Sequence, residues 1–137
     1  MIAERTVPAA HLLGWDCIEL WVGNARAMSG FLMGAFGFTC TAYAGPETGI
    51  RDKSSYVLEQ GDVRFVVTGA LDAGSPIAAH VRAHGDGVHD LAWLVDDVDA
   101  AFTASVARGA RPVREAWETR DASGVLRLAP IGAYGET

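Results

Sequence analysis

The sequence predicts an α+β fold built from two tandem β-α-β-β-β modules, the second lacking its last strand. The first observation is a strand–cap–helix unit late in the chain. Leu91, Trp93 and Val95 alternate with Asp90, Ala92 and Leu94, a pattern for a short, well-buried strand. Asp96 or Asp97 then offers an N-cap, and Val98, Ala101, Phe102 and Val106 give the following helix an apolar face that Gly109 ends. The second observation is an earlier copy. Asp16–Val22 alternates as a strand, Asn24 can cap a helix, Met28, Phe31, Leu32, Ala35 and Phe36 recur at helical spacing, and Gly37 closes it. The third is the interval. Val22 and Val95 lie 73 residues apart, and the same step pairs Ile18 with Leu91, Leu20 with Trp93 and Asn24 with Asp97. A unit that recurs at one fixed spacing is an internal duplication.

The elements follow in order. Residues 1–13 form a loose N-terminal arm, where Pro8 discourages regular structure. Module one covers about 14–71. After its helix come strands Phe38–Ala44, Ser54–Glu59 and Val63–Gly69, with a loop at Gly45–Gly49 and a hairpin turn at Gln60–Asp62. A connector, 72–88, holds a short helix over Pro76–His84 and then a glycine loop. Module two covers 89–137, with further strands at Arg111–Glu118 and Val125–Ile131. The 73-residue step maps Val63–Gly69 onto positions from 136 onward, so Ala133–Thr137 reads as the turn into a strand that the sequence does not contain. A second sheet without that strand would carry an unpaired edge.

Composition narrows the function classes. With 50% hydrophobic and 20% charged residues, the chain is in the range of globular domains, and 137 residues suffice for one core. A formal net charge of −6 and the lack of any basic run argue against nucleic acid as a partner. No apolar run is long enough to cross a bilayer, and residues 1–8 lack the layout of a signal peptide, so a cytoplasmic protein is expected. Cys17 and Cys40 fall in predicted strands without metal-like spacing and read as buried free thiols.

Several residues could carry chemistry. His80 and His84 are four apart and would share a helical face able to reach one metal, but His84 opens the glycine loop, where helical geometry is expected to fail. Solvated or loop-anchoring histidines are the plainer reading. His89 and Asp90 are strand neighbours and point to opposite faces, which makes them poor ligands for one ion. Ser54, Ser55 and Thr68 have no base and orienting group beside them in sequence, and Gly85-Asp-Gly87 is too short to cradle a phosphate. Asp96, Asp97 and Asp99 are explained by capping and the helix dipole. Trp15, Trp21, Trp93 and Trp117 read as core or interface.

Paired β-α-β-β-β modules resemble the vicinal oxygen chelate (glyoxalase-like) superfamily. Within it, Leu20-Trp-Val-Gly-Asn-Ala25, Tyr43-Ala-Gly-Pro-Glu-Thr-Gly49, Val63-Arg-Phe-Val-Val67 and His84-Gly-Asp-Gly-Val88 resemble the N-terminal domain of the 4-hydroxyphenylpyruvate dioxygenases. Arg108-Gly-Ala110, Glu115-Ala-Trp117 and Tyr134-Gly135 continue the likeness, which runs from about Gly14 onward. The hydroxymandelate synthases share much of it.

The resemblance implies a parent Fe(II) enzyme of tyrosine catabolism. Such an enzyme converts 4-hydroxyphenylpyruvate, an aromatic α-keto acid, and dioxygen to homogentisate and carbon dioxide. Its iron is held by two histidines and a carboxylate of a C-terminal catalytic domain, which would be this chain's partner, and homo-oligomers are possible. The first-strand positions that match superfamily metal ligands are Cys17 and Asp90 here. A thiolate–carboxylate pair without imidazole is not a usual iron site, so both read as vestigial, with no metal, cofactor or catalytic residue expected in this chain. The alternatives are a hydroxymandelate synthase-like fragment and a free-standing two-module small-molecule-binding protein of the bleomycin-resistance type.

Overall fold

A computed structural model describes residues 10–133. Asn24 shows how closely local chemistry sets the boundaries. Its side-chain oxygen accepts a hydrogen bond from the Ala27 amide at 2.9 Å, so strand β1 (Leu12–Val22) gives way at once to helix α1 (Ala25–Phe36). Gly37, at φ 78, adopts the left-handed conformation that ends the helix. Strands β2 (Thr39–Ala44), β3 (Lys53–Gln60) and β4 (Val63–Ala70) follow, and β3 turns into β4 over Gly61 and Asp62. Helix α2 (Pro76–His84) is capped by Ser75, whose hydroxyl accepts from the Ala78 amide. Strand β5 (Gly87–Val95) and helix α3 (Val98–Ala107) come next; Asp97, not Asp96, is the cap of α3.

The described chain divides into two compact units, Trp15–Ala92 and a second made of 10–14 with 93–133. In the first, strands lie in the order β2-β3-β4-β1-β5. β1 runs parallel to β4, and β4, β3 and β2 are successively antiparallel. Val22, Ala25, Leu58 and Val67 are the buried heart of this unit, with Leu20, Met28, Leu32, Phe38, Tyr56 and Phe65 packed around them.

This core corrects the expected face of α1. Ala25, Met28, Ser29 and Leu32 face inward, whereas Phe31 and Phe36 are each 58% exposed and Ala35 is exposed too. The inward positions follow i, i+3, i+4, i+7, a stripe displaced from the bulkier one by the small residues Ala25 and Ser29. Those small residues let the helix start lie close to the sheet. A β-carbon on Gly69 would stand 3.0 Å from the Ala25 backbone nitrogen and 3.3 Å from the Val22 carbonyl oxygen. Gly69→Val should therefore cost about 1–3 kcal/mol, as overpacking against backbone does. Chemical denaturation would show this as a lower midpoint; an unchanged midpoint would mean the helix start can lift off the sheet.

In the second unit the two expected strands are each broken. Arg111–Glu118 becomes β6 (Arg111–Pro112) and β7 (Trp117–Asp121), and Val125–Ile131 becomes β8 (Gly124–Leu128) and β9 (Ile131–Gly132). Both breaks sit beside a proline, Pro112 or Pro130, which has no amide hydrogen to donate to a ladder. Pro112 lies opposite Ile131 and Trp117 opposite Leu128, so two extra residues bulge from the first arm of one interrupted hairpin. Arg127 of β8 holds Asp99 of α3 through two nitrogens, at 2.7 and 3.0 Å, and also reaches Glu118 at 3.3 Å. Residues 134–137, where the turn into a further strand is expected, and most of the N-terminal arm (1–9) lie outside the described residues.

Exposure differs from expectation in three further places. β5 is not well buried: Leu91 is 39% exposed, Trp93 48% and Leu94 50%. Trp15 is also outside the core, at 52%. Both cysteines are free, but Cys17 is half-buried and Cys40 exposed, because β2 is the outermost strand of its sheet.

Candidate functional site

Register brings a polar line across three strands of the first unit. Thr68 pairs with Trp21 on one side and Ser55 on the other. The Thr68 hydroxyl is fully buried, donates to Glu19 Oε1 at 2.7 Å and lies 2.9 Å from the Ser55 hydroxyl. Each buried oxygen thus finds a partner, as a low-dielectric setting requires. Among the described residues, the two hydroxyls bond to each other and to Glu19, and no imidazole joins them as a nucleophile-activating base.

The positions that the resemblance matches to superfamily ligands carry a thiol, Cys17, and a carboxylate, Asp90, a donor pair that is not a usual Fe(II) site. Burial first, and then the carboxylates of Asp16, Asp90 and Glu19, together push the Cys17 thiol up to about 11, with Arg64 opposing them. A metal ligand must be the thiolate, so these surroundings work against Cys17 as a ligand. Among the described residues, no three His, Cys, Asp or Glu side chains are grouped so as to hold a metal ion.

The histidines are arranged differently from expectation. His84 is the last residue of α2, not part of the loop, so His80 and His84 do share a helical face, with ring centroids 4.7 Å apart. His89 stacks on the Trp21 indole with centroids 3.3 Å apart, and His80 meets both rings edge-on, at 5.3 Å from Trp21 and 5.1 Å from His89. Trp21 is thus held in an aromatic cluster between β1, α2 and β5. Sequence spacing could bring His80 and His84 together, but the stack of His89 on Trp21 depends on β1 and β5 entering one sheet. The helix end is fastened nearby, where the Gly23 amide donates to Asp86 Oδ1 at 2.7 Å.

Burial lowers the His89 imidazole below its ordinary value; His80 adds to that shift, while Glu19 and Asp90 oppose it. Nδ1 of His89 is buried without a hydrogen-bond partner. A histidine with a depressed folded value contributes fully above the unfolded value of about 6.5, and that contribution is lost as pH falls through the window below it. Stability should therefore drop as pH falls below about 6.5, in part through His89. Denaturation midpoints across that range would show a smaller drop in His89→Gln than in the parent chain. An identical drop in both would contradict the assignment.

The remaining candidates have structural roles. Gly85 follows the last turn of α2 and its amide donates to Val81 O, while Asp86 caps no phosphate cradle but holds Gly23. Asp96 accepts from the His11 amide at 3.0 Å and lies 3.1 Å from His11 Nδ1. Trp117 carries the Arg114 guanidinium 3.7 Å above its ring.

Residues 16–125 match the glyoxalase/bleomycin resistance protein/dioxygenase superfamily. The chain is 41% identical to 4-hydroxyphenylpyruvate dioxygenase from Yarrowia lipolytica over 90% of its own length, and 39% identical to that from Danio rerio over 91%. It spans about a third of the length of these curated relatives, 32% in both cases. Among solved structures it is similar to a mutant 4-hydroxymandelate synthase from Streptomyces coelicolor, with a TM-score of 0.84 and 37% identity, covering 91% of this chain and 36% of that one. Methylmalonyl-CoA epimerase from Mycobacterium tuberculosis shares the fold, with a TM-score of 0.68 at 18% identity, covering 92% of this chain and 84% of that one. With its mixed sheet, its strand–cap–helix units and a family match over most of its length, the chain belongs to the glyoxalase/bleomycin resistance protein/dioxygenase superfamily.

Proposed function

We propose that this chain is the N-terminal, non-catalytic part of a 4-hydroxyphenylpyruvate dioxygenase-like enzyme. In this reading the parent enzyme oxidises an aromatic α-keto acid with dioxygen at an Fe(II) centre, and that centre belongs to a C-terminal domain. The observation that carries it is the donor set at the matching positions. Cys17 is a thiol whose ionisation burial and neighbouring carboxylates oppose, and Asp90 stands where the resemblance implies a histidine. The sequence likeness to dioxygenases over about 90% of this chain supplies the parent activity. A hydroxymandelate synthase-like parent is the second reading, favoured by the structural likeness at 37% identity.

In either case the chain's own contribution is a folded companion. Its buried polar atoms around Thr68 are spent on one another. No helix among the described residues is long and apolar enough to cross a membrane. Anaerobic calorimetric titration with Fe(II) tests the reading. No saturable binding in the micromolar range is expected. A stoichiometric site that Asp90→Ala abolishes would overturn it.

A further inference from the structure

We propose that His80 and His84 form a two-imidazole site for a borderline divalent cation such as Zn²⁺ on the last turn of α2, separate from any iron chemistry. The objection from sequence was that helical geometry fails at His84, and the structure removes it, since α2 runs from Pro76 through His84. Two histidines four apart on one helical face are a recurring zinc-binding arrangement. The spacing also fits. With zinc–nitrogen bonds of about 2.0–2.1 Å and tetrahedral angles, two imidazoles on one ion have centroids about 5 Å apart. The His80 and His84 centroids are 4.7 Å apart.

The surroundings favour a cation. His84 stands at the C-terminal end of α2, the negative end of the helix dipole. Asp86 lies two residues further on, in a chain whose formal net charge is −6. Arg82 is the one cation between the two ligands in sequence, and at about 100° per residue it points about 200° around the helix from His80. His80 is half-buried against Trp21 and His89, which fixes its ring, while His84 is exposed. Imidazole nitrogen suits zinc, nickel and copper better than magnesium or calcium. His89 stays stacked on Trp21 and is not assigned as a ligand, so water completes the coordination.

The experiment is calorimetric titration of the whole chain with Zn²⁺ alone at about pH 7.5, where imidazoles are neutral. One ion per chain is expected. His84→Gln and His80→Gln should each weaken binding at least about tenfold, and acidification to about pH 5 should abolish it, because imidazole must shed its proton to bind. Cys40→Ser should leave the affinity within about twofold. His84 is exposed, so its replacement keeps the test decisive even if His80→Gln disturbs the packing on Trp21. No saturable Zn²⁺ binding, or binding that survives His84→Gln unchanged, would overturn the proposal. Neither result bears on the iron reading above, whose own titration uses Asp90→Ala.

Discussion

Leu58→Ala should destabilise the chain by about 2–5 kcal/mol, the cost of removing a buried leucine and leaving a cavity. Leu58 is 0% exposed in the middle of β3, flanked by β2 and β4, and belongs to the cluster of Val22, Ala25 and Val67. Little around it can collapse, because those neighbours lie on strands paired to one another and on a helix that Gly69 holds close. Phe31→Ala provides the contrast. Although phenylalanine is the larger side chain, Phe31 is 58% exposed and touches Phe36 edge-to-face at 5.8 Å, so its loss should cost below about 1 kcal/mol. Urea denaturation of the two variants against the parent reads both values. If Phe31→Ala were the costlier, the larger aromatic stripe would be the packed face after all.

That contrast also marks how much of the fold was legible in the sequence. Boundaries set by local chemistry were. Asn24, Asp97, Gly37 and the Pro76 start of α2 act through atoms within a few residues, and the structure places each helix end at or within a residue or two of where they predict it. The face of α1 was not legible, because hydrophobic periodicity ranks residues by apolarity, whereas the inward stripe is chosen by how near the helix can approach the sheet. Small Ala25 and Ser29 win that position over Phe31. The broken strands of the second unit have the same character. Pro112 and Pro130 were visible, but their effect depends on the pairing that sets Pro112 opposite Ile131, beside Pro130, in one hairpin.

The site divides in the same way. Cys17 and Asp90 come from the resemblance to the superfamily, and residue type alone makes them an unusual pair for iron. The upward shift of the Cys17 thiol could not be read there, since it arises from burial and from Asp16, Asp90 and Glu19 around it. The Thr68 hydroxyl line and the stack of His89 on Trp21 require strand register, which no local pattern supplies.

Oxygen consumption is the most direct measure of whether this chain is the companion part of a dioxygenase and not a catalyst. The chain is supplied anaerobically with Fe(II), then given dioxygen and 4-hydroxyphenylpyruvate in an oxygen-electrode cell. The account predicts no substrate-dependent uptake above that of Fe(II) and substrate without protein, under conditions where a full-length dioxygenase relative consumes oxygen. Substrate-dependent uptake that requires this chain and disappears in Asp90→Ala would contradict it, by placing a working iron site among Cys17, Asp90 and their neighbours.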